Sequence, residues 1–242
     1  MFGHVAPSPY DINFSVGPFP VRVTWTHWLI SALLGWGSVN YAGAVGLGEP
    51  GVPQPIFVVA WIIVLFVSIL VHELGHAVAA RSFGYPVEIV LHHFGGYASF
   101  QPRGHTVTRE IIVSAAGPAA GFVLYGLVWI AAVYGLPYVP PMESDLARAI
   151  VRFTFEQMIF VNLIWGFINL LPVLPLDGGR ISQALCVAVN RHEGPTWSLW
   201  ISTGAAALAA VYLWKIGYAY GGMMFLFLGV QSWLALTGRS LR

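Results

Sequence analysis

Two histidines and a glutamate stand close together within an apolar stretch of the chain. His72, Glu73 and His76 form the pattern H-E-x-x-H. In an α-helix, residues four positions apart lie on one face, about 6 Å apart along the axis, so both imidazoles can reach one metal ion. Glu73 would lie on the adjoining face, where its carboxylate could contact a metal-bound water without ligating the metal. This spacing predicts a zinc-dependent hydrolase with Glu73 as general base and acid.

The alternative is that these residues have no chemical role. The segment around them is otherwise strongly apolar. Placing an ionised carboxylate at the centre of a membrane helix costs at least about 2.5–3.5 kcal/mol. An unused Glu73 would be a liability in such a helix, so the functional interpretation is favoured.

A tetrahedral zinc ion with two histidines and a water lacks one protein ligand. Asp177 is the best candidate, since Pro172 and Pro175 end an apolar stretch before it and Gly178 and Gly179 permit a tight turn after it. The alternative is that Asp177 only caps the following helix. Other residues that could approach the site are more typical of a loop or hairpin: Glu88, His92, His93 and His105.

The composition indicates an integral membrane protein. Apolar residues make up 57% of the 242 residues and charged residues only 9%, whereas soluble domains carry about 25% charged residues. The formal net charge of +1 gives no electrostatic reason to expect nucleic-acid binding. The single cysteine, Cys186, excludes an intrachain disulfide and a structural zinc site made of several cysteines.

The apolar stretches predict an all-α polytopic fold with about six transmembrane helices, since a span needs about 20 apolar residues. They occupy residues 26–47, 56–80, 111–134, 149–171, 197–213 and 221–236. We expect one membrane-embedded domain over 1–242. The first 25 residues lack the pattern of a cleavable signal peptide and are expected to be extended. Residues 84–104 are expected to form a short membrane-associated β-hairpin or loop around Gly95 and Gly96.

Lysine and arginine concentrate on one side of the predicted bundle. That side holds Arg22, Arg81, Arg103, Arg109, Arg180, Arg191, Arg239 and Arg242, and the other holds Arg148, Arg152 and Lys215. Cytoplasmic loops carry the excess of positive charge. Both termini and the opening of the active site are therefore expected to be cytoplasmic. The apparent lack of accessory domains favours a prokaryotic cytoplasmic membrane.

Three motifs together resemble the site-2 protease family of intramembrane zinc proteases. They are H-E-x-G-H at 72–76, Gly117-Pro118, and N-x-x-P-x-x-P-L-D-G-G at 169–179. The resemblance covers nearly half of the chain. It implies one catalytic Zn²⁺ held by His72, His76 and Asp177, with Glu73 as acid and base. It also implies that Asn169 could bond the substrate backbone or the tetrahedral intermediate.

The chain departs from the family pattern at one position. The family often has asparagine four residues after the glycine of the Gly-Pro pair, where this chain has Gly121. The polar role of that asparagine is then absent or supplied elsewhere, and Gly117 with Gly121 also fits a close helix contact. Asn162 and Asn169 are seven apart, so both could face the site. A hydrogen bond between helices is the alternative for Asn162.

The resemblance implies that the substrates are single-span membrane proteins, cleaved at peptide bonds in or near their transmembrane segments. We expect the lipid bilayer and such substrates as partners, and the hairpin at 85–100 could pair with an unwound substrate. The oligomeric state is not determined by the sequence. Two other functions would use the same residues: a transporter that handles zinc, and a catalytically inactive membrane scaffold.

Overall fold

Long helices form most of the described chain, as the apolar stretches predict. The structure, a computed structural model, describes residues 6–44, 54–93, 95–100, 106–135, 138 and 144–238. Its helices are α1 (Trp25–Ala44), α2 (Gln54–Ser82), α3 (Val107–Ile130), α4 (Asp145–Phe160), α5 (Gly166–Asn169), α6 (Asp177–Val189), α7 (Gly194–Lys215) and α8 (Ala219–Leu236). Short π-helical segments follow α3 at Ala131–Gly135 and α4 at Val161–Trp165.

Five helical segments of the described chain are long and apolar enough to cross a membrane. They are Pro55–Ser82, Val107–Gly135, Asp145–Asn169, Gly194–Lys215 and Ala219–Leu236. These segments contain or closely match the second to sixth predicted spans. Helix α1 lies over the first predicted span but is not one of the five, and residues 45–47 of that span lie outside the described residues. Large apolar side chains such as Leu208, Val123 and Leu127 are exposed, as expected of helices solvated by lipid.

A four-stranded sheet accompanies the helices. Its strands are β1 (Ile12–Val16), β2 (Phe19–Val23), β3 (Val87–His92) and β4 (Gly95–Phe100), in the order β1-β2-β3-β4. The predicted hairpin is confirmed as the antiparallel pair β3 and β4. Gly95 and Gly96 begin β4 rather than forming its turn, because His92 pairs with Gly95.

The N-terminal segment is more ordered than an extended arm. Strands β1 and β2 form an antiparallel hairpin around Gly17, whose φ of 55° suits a tight turn. In β2 the side chains alternate, with Phe19, Val21 and Val23 buried. Strand β2 then pairs in parallel with β3, so that residues far apart in sequence share one sheet.

The described chain contains two compact units, each with its own apolar core. One holds the sheet, α1, α2, α4 and the part of α3 from residue 119. Its core joins Phe57, Trp61 and Val64 of α2 to Phe153 of α4. The other holds the beginning of α3 and residues from 167 onward. There Val173 packs with residues of α7 and α8.

His92 is a buried titratable group of the sheet. Its ring centroid lies 5.2 Å from that of His93 and 5.4 Å from that of Tyr97. Burial, and after it the positive charges of His93 and His27, together lower the pKa of His92 to about 4. His92 is therefore neutral in the folded protein at pH 7.

We expect the sheet to lose stability in acid through His92. The pKa is about 4 in the fold and about 6.5 in an unfolded chain, so between these values the unfolded state binds more protons and the free energy of unfolding falls as pH falls. At pH 5 the loss should be about 2 kcal/mol. Thermal unfolding in detergent at pH 7 and pH 5 measures it. His92→Gln should show a smaller acid loss, and an equal loss in both proteins would contradict the assignment.

Candidate metal centre

His72 and His76 lie one turn apart on α2 with their rings converging. Their Nε2 atoms are 3.1 Å apart and their ring centroids 4.8 Å apart, with the planes nearly perpendicular. His76 is buried and His72 half-buried. Two nitrogens aimed at one place are what a pair of ligands to a single ion requires. The helical spacing of H-E-x-x-H therefore brings the two histidines together as predicted.

Glu73 is buried beside the sheet, with only 5% of its surface exposed. Its neighbour is Gly96 of β4. A Cβ added at Gly96 would lie 2.6 Å from Cγ of Glu73 and 2.8 Å from its Oε1. Such distances are shorter than any ordinary contact, so this position accepts only glycine while the carboxylate stays in place.

The close approach gives a reason for the glycine at position 96, which the sequence pattern alone places in a hairpin. A glycine inside a strand can mark a turn, a bulge or the close approach of another group. Gly96 is the third case, because the strand backbone passes directly against Glu73. Only the packing of β4 on α2 reveals this role.

Asp177 is the first residue of α6 and follows a compact turn. Val173 N–H donates to Leu171 O at 2.7 Å, and Leu176 N–H donates to Val173 O at 2.8 Å. Leu176 is the N-cap residue and makes no side-chain capping bond. Asp177 therefore occupies the first helical position rather than the N-cap, so the capping alternative does not describe it.

The two glycines after Asp177 permit the turn to fold against the helix. A Cβ at Gly178 would overlap the carbonyl oxygen of Leu170, and one at Gly179 would lie 2.5 Å from Leu174 N. Side chains at these positions would push the turn away from the first turn of α6. The Gly-Gly pair thus determines the local path that carries Asp177.

The candidate metal ligands of the described chain are His72 and His76 in one unit and Asp177 in the other. The donor chemistry fits zinc, because two imidazoles and one carboxylate leave a fourth position open, as in catalytic zinc sites. Glu88 and His92 lie in β3, while His93 approaches Thr26 at 3.4 Å. His105 lies outside the described residues.

Asn162 makes a hydrogen bond between helical segments. Its Nδ2 donates to Ser68 Oγ on α2 at 2.9 Å and to Met158 O at 2.8 Å. Ser68 is one turn before His72 on α2, so this bond joins α2 to the segment after α4 close to the histidine pair. The alternative of an interhelical bond is therefore the one that the geometry supports.

The position where the family often has asparagine faces this same amide. A Cβ at Gly121 would lie 3.8 Å from Asn162 Oδ1. The polar group next to Gly121 thus comes from the segment after α4. Asn169, at the end of α5, is buried, and its role in chemistry remains a prediction.

The chain is similar to a family of peptidases and to proteins described as zinc metalloproteases. The profile described as "Peptidase family M50" matches residues 60–211. The Rip3 protein of Mycobacterium tuberculosis is 31% identical over 229 residues, which cover 92% of this chain and 54% of Rip3. Zinc metalloprotease MJ0392 of Methanocaldococcus jannaschii is 31% identical over 133 residues, which cover 54% of this chain and 35% of that protein. The chain thus spans about half the length of Rip3.

A solved structure has the same fold. The site-2 protease from Methanocaldococcus jannaschii superposes with a TM-score of 0.60 at 21% identity, covering 94% of this chain and 95% of that one. At this identity the likeness concerns the fold. It confirms the expected arrangement of membrane helices with a small sheet.

The contact of Gly96 with Glu73 predicts a non-additive pair of substitutions. Gly96→Ala should lower the free energy of unfolding by about 1–3 kcal/mol, because the added methyl overlaps the glutamate side chain. In a Glu73→Ala background the same change should cost much less. Thermal unfolding of the four proteins measures this difference.

Gly126→Ala is the matched control, since a Cβ there meets nothing within 4 Å. It should not destabilise the protein. Equal costs of Gly96→Ala in both backgrounds would show that the two residues do not compete for space.

Proposed function

Since this chain belongs to peptidase family M50, we propose that it is a zinc-dependent endopeptidase that hydrolyses peptide bonds in or near transmembrane segments of membrane proteins. The observation that carries the proposal is the converging pair His72 and His76, with Nε2 atoms 3.1 Å apart, next to a buried Glu73 on a helix apolar enough to span a membrane. Ionisable residues in such a helix are costly and usually functional.

We propose His72, His76 and Asp177 as the zinc ligands. Zinc held there would act as a Lewis acid that lowers the pKa of water and polarises the scissile carbonyl. Two neutral imidazoles and one carboxylate suit it, because they neutralise part of its charge and leave room for water and substrate. The family's motif and the donor set both support this assignment.

Glu73 is proposed as the group that moves the proton. Its carboxylate would accept a proton from the attacking water and return it to the leaving amine. The backbone of Gly96 limits where this carboxylate can lie, so the proton acceptor is held rather than free to rotate. Asn169 is proposed to donate a hydrogen bond to the developing oxyanion.

The roles of the acidic residues can be separated by zinc content and cleavage. Purified Glu73→Gln should keep zinc but lose cleavage of single-span substrates in detergent, by about 10²–10⁴-fold, because a proton acceptor is removed while the ligands remain. Asp177→Ala should lose zinc as well. Asp145→Ala is a control, since it removes another first-turn aspartate and should change neither measurement.

Different results of the same measurements would favour a zinc transporter or an inactive scaffold. Zinc flux into liposomes that persists in Glu73→Gln, without any cleavage by the wild type, would indicate a transporter. A wild-type protein that holds no zinc and cuts none of the substrates would indicate a scaffold.

We further propose that the substrate adds to the sheet at β4. Strand β3 lies between β2 and β4, so Ile89 and Leu91 have partners on both sides and β4 carries the outer edge. A helical substrate hides its scissile carbonyl in its own hydrogen bonds, so it must unwind before cleavage, and an edge strand can pair with the extended segment. The same strand contacts Glu73 through Gly96, which would place the paired substrate near the proton acceptor.

The ladder between β3 and β4 indicates which groups face outward. Leu91 O accepts from Thr24 N–H, which follows β2, so the backbone groups of Leu91 face β2 and its pair with Gly96 of β4 is not hydrogen-bonded. Pairs alternate from there, so the N–H groups of Gly96 and Ala98 point to the outer edge. Proline at Ala98 removes an outward N–H without breaking a hydrogen bond to β3. Gly96 is not suitable for this test, because a side chain there would meet Glu73.

Ala98→Pro should therefore lower kcat/KM for membrane substrates by about fivefold or more, because one backbone hydrogen bond is worth about 1 kcal/mol. Zinc content should not change. Ser15→Pro places proline on the opposite edge strand β1. Ser15 pairs with Pro20 of β2, and its N–H likewise points away from the neighbouring strand, so this change should leave cleavage intact. Equal effects of both changes would contradict pairing at β4.

The distribution of positive charge supports a proposal for the location of the protein. We propose an integral protein of a prokaryotic cytoplasmic membrane, with the termini and the opening of the active site on the cytoplasmic side, as the arginine-rich loops favour. Single-span membrane proteins are the proposed substrates. Because the chain spans about half of Rip3, the activity of the relatives supports this proposal for the shared region.

A further inference from the structure

The turn that carries Asp177 has one backbone donor that is bound by a side chain. Pro172 and Pro175 have no N–H group, and Val173 N–H donates within the turn to Leu171 O at 2.7 Å. Leu174 N–H donates instead to Ser202 Oγ of α7 at 2.8 Å. An unsatisfied N–H is costly where water is scarce, so the turn depends on this hydroxyl.

Ser202 belongs to a chain of hydrogen bonds with a determined direction. Its Oγ lies 2.8 Å from Ser232 Oγ of α8, and Ser232 Oγ donates to Leu228 O at 3.1 Å. Leu174 N–H can only donate and Leu228 O can only accept, while each hydroxyl has one hydrogen. The bonds must therefore run from Leu174 through Ser202 and Ser232 to Leu228.

This chain of bonds supports the start of α6. Gly179 packs so closely on the turn that a Cβ there would lie 2.5 Å from Leu174 N, the same atom that Ser202 holds. Val173 is fully buried in the core shared by α7 and α8. A shift of Leu174 would therefore move the first turn of α6, and with it Asp177.

We propose that Ser202 and Ser232 are positioning residues for Asp177 and thereby set the affinity of the zinc site. The inference rests on the proposed role of Asp177 as a zinc ligand. Partners that orient a ligand typically contribute about 10–100-fold to metal affinity. The hydroxyls act only through the turn, so they touch neither the metal nor the substrate in this proposal.

Zinc dissociation constants of purified full-length variants test the inference. Ser202→Ala should weaken zinc binding about 10-fold and speed amide exchange at Leu174. Ser232→Ala should weaken it less, since Ser202 keeps its bond to the turn. The double variant should resemble Ser202→Ala, because the link is already broken there.

Two controls separate positioning from loss of fold. Ser198 is buried one turn earlier on α7, but its hydroxyl donates to Pro195 O within the helix, so Ser198→Ala should keep wild-type zinc affinity. Gly229→Ala crowds Ala206 between α7 and α8, where a Cβ would come within 3.2 Å. It should lower the melting temperature without weakening zinc binding.

The outcomes distinguish this inference from the function it rests on. Wild-type zinc affinity in Ser202→Ala and Ser232→Ala, together with loss of zinc in Asp177→Ala, would overturn the inference and leave the proposed function standing. Retention of zinc in Asp177→Ala would overturn both. Weakened binding in Ser198→Ala or Gly229→Ala equal to that in Ser202→Ala would show that zinc affinity only follows stability. If Ser202→Ala does not fold, the affinity of Ser232→Ala decides.

Discussion

Polar groups that are shielded from water must find partners within the protein, and this constraint organises the molecule. Asn162 bonds Ser68 across two helical segments, and Ser202 bonds Ser232 between α7 and α8. In lipid the hydrophobic effect gives helices little reason to associate, so close packing and such bonds must do it. The same scarcity of water strengthens electrostatic interactions, which makes an apolar bundle a suitable place for a metal and a proton acceptor.

The helices and the sheet make different contributions to the candidate centre. Helix α2 aligns His72 and His76 by its own periodicity, and the break before α6 presents Asp177. The sheet adds what a bundle of helices lacks, namely an edge strand, β4, with which an extended chain could pair. Gly96 links the two parts, since β4 approaches Glu73 so closely that no side chain fits between them.

The region shared with the peptidase family contains the helices of the candidate centre and part of the sheet. The family profile covers residues 60–211, from within α2 to within α7, and thus contains every proposed ligand. Strands β1 and β2 precede that region and complete the sheet. The fold is shared with an archaeal site-2 protease at only 21% identity, so the arrangement of helices and strands is retained while most side chains differ.

The sequence by itself determined the features that depend on near neighbours. The pattern H-E-x-x-H, the break at Pro172 and Pro175 and the apolar stretches predicted the histidine pair, the turn and the helices, because helical periodicity and lipid solvation act over a few residues. It did not predict that β1 and β2 form a hairpin that joins β3, that Gly96 borders Glu73, or that Ser202 holds Leu174. These are contacts between segments far apart in the chain, and only tertiary packing brings their atoms within hydrogen-bonding or van der Waals distance.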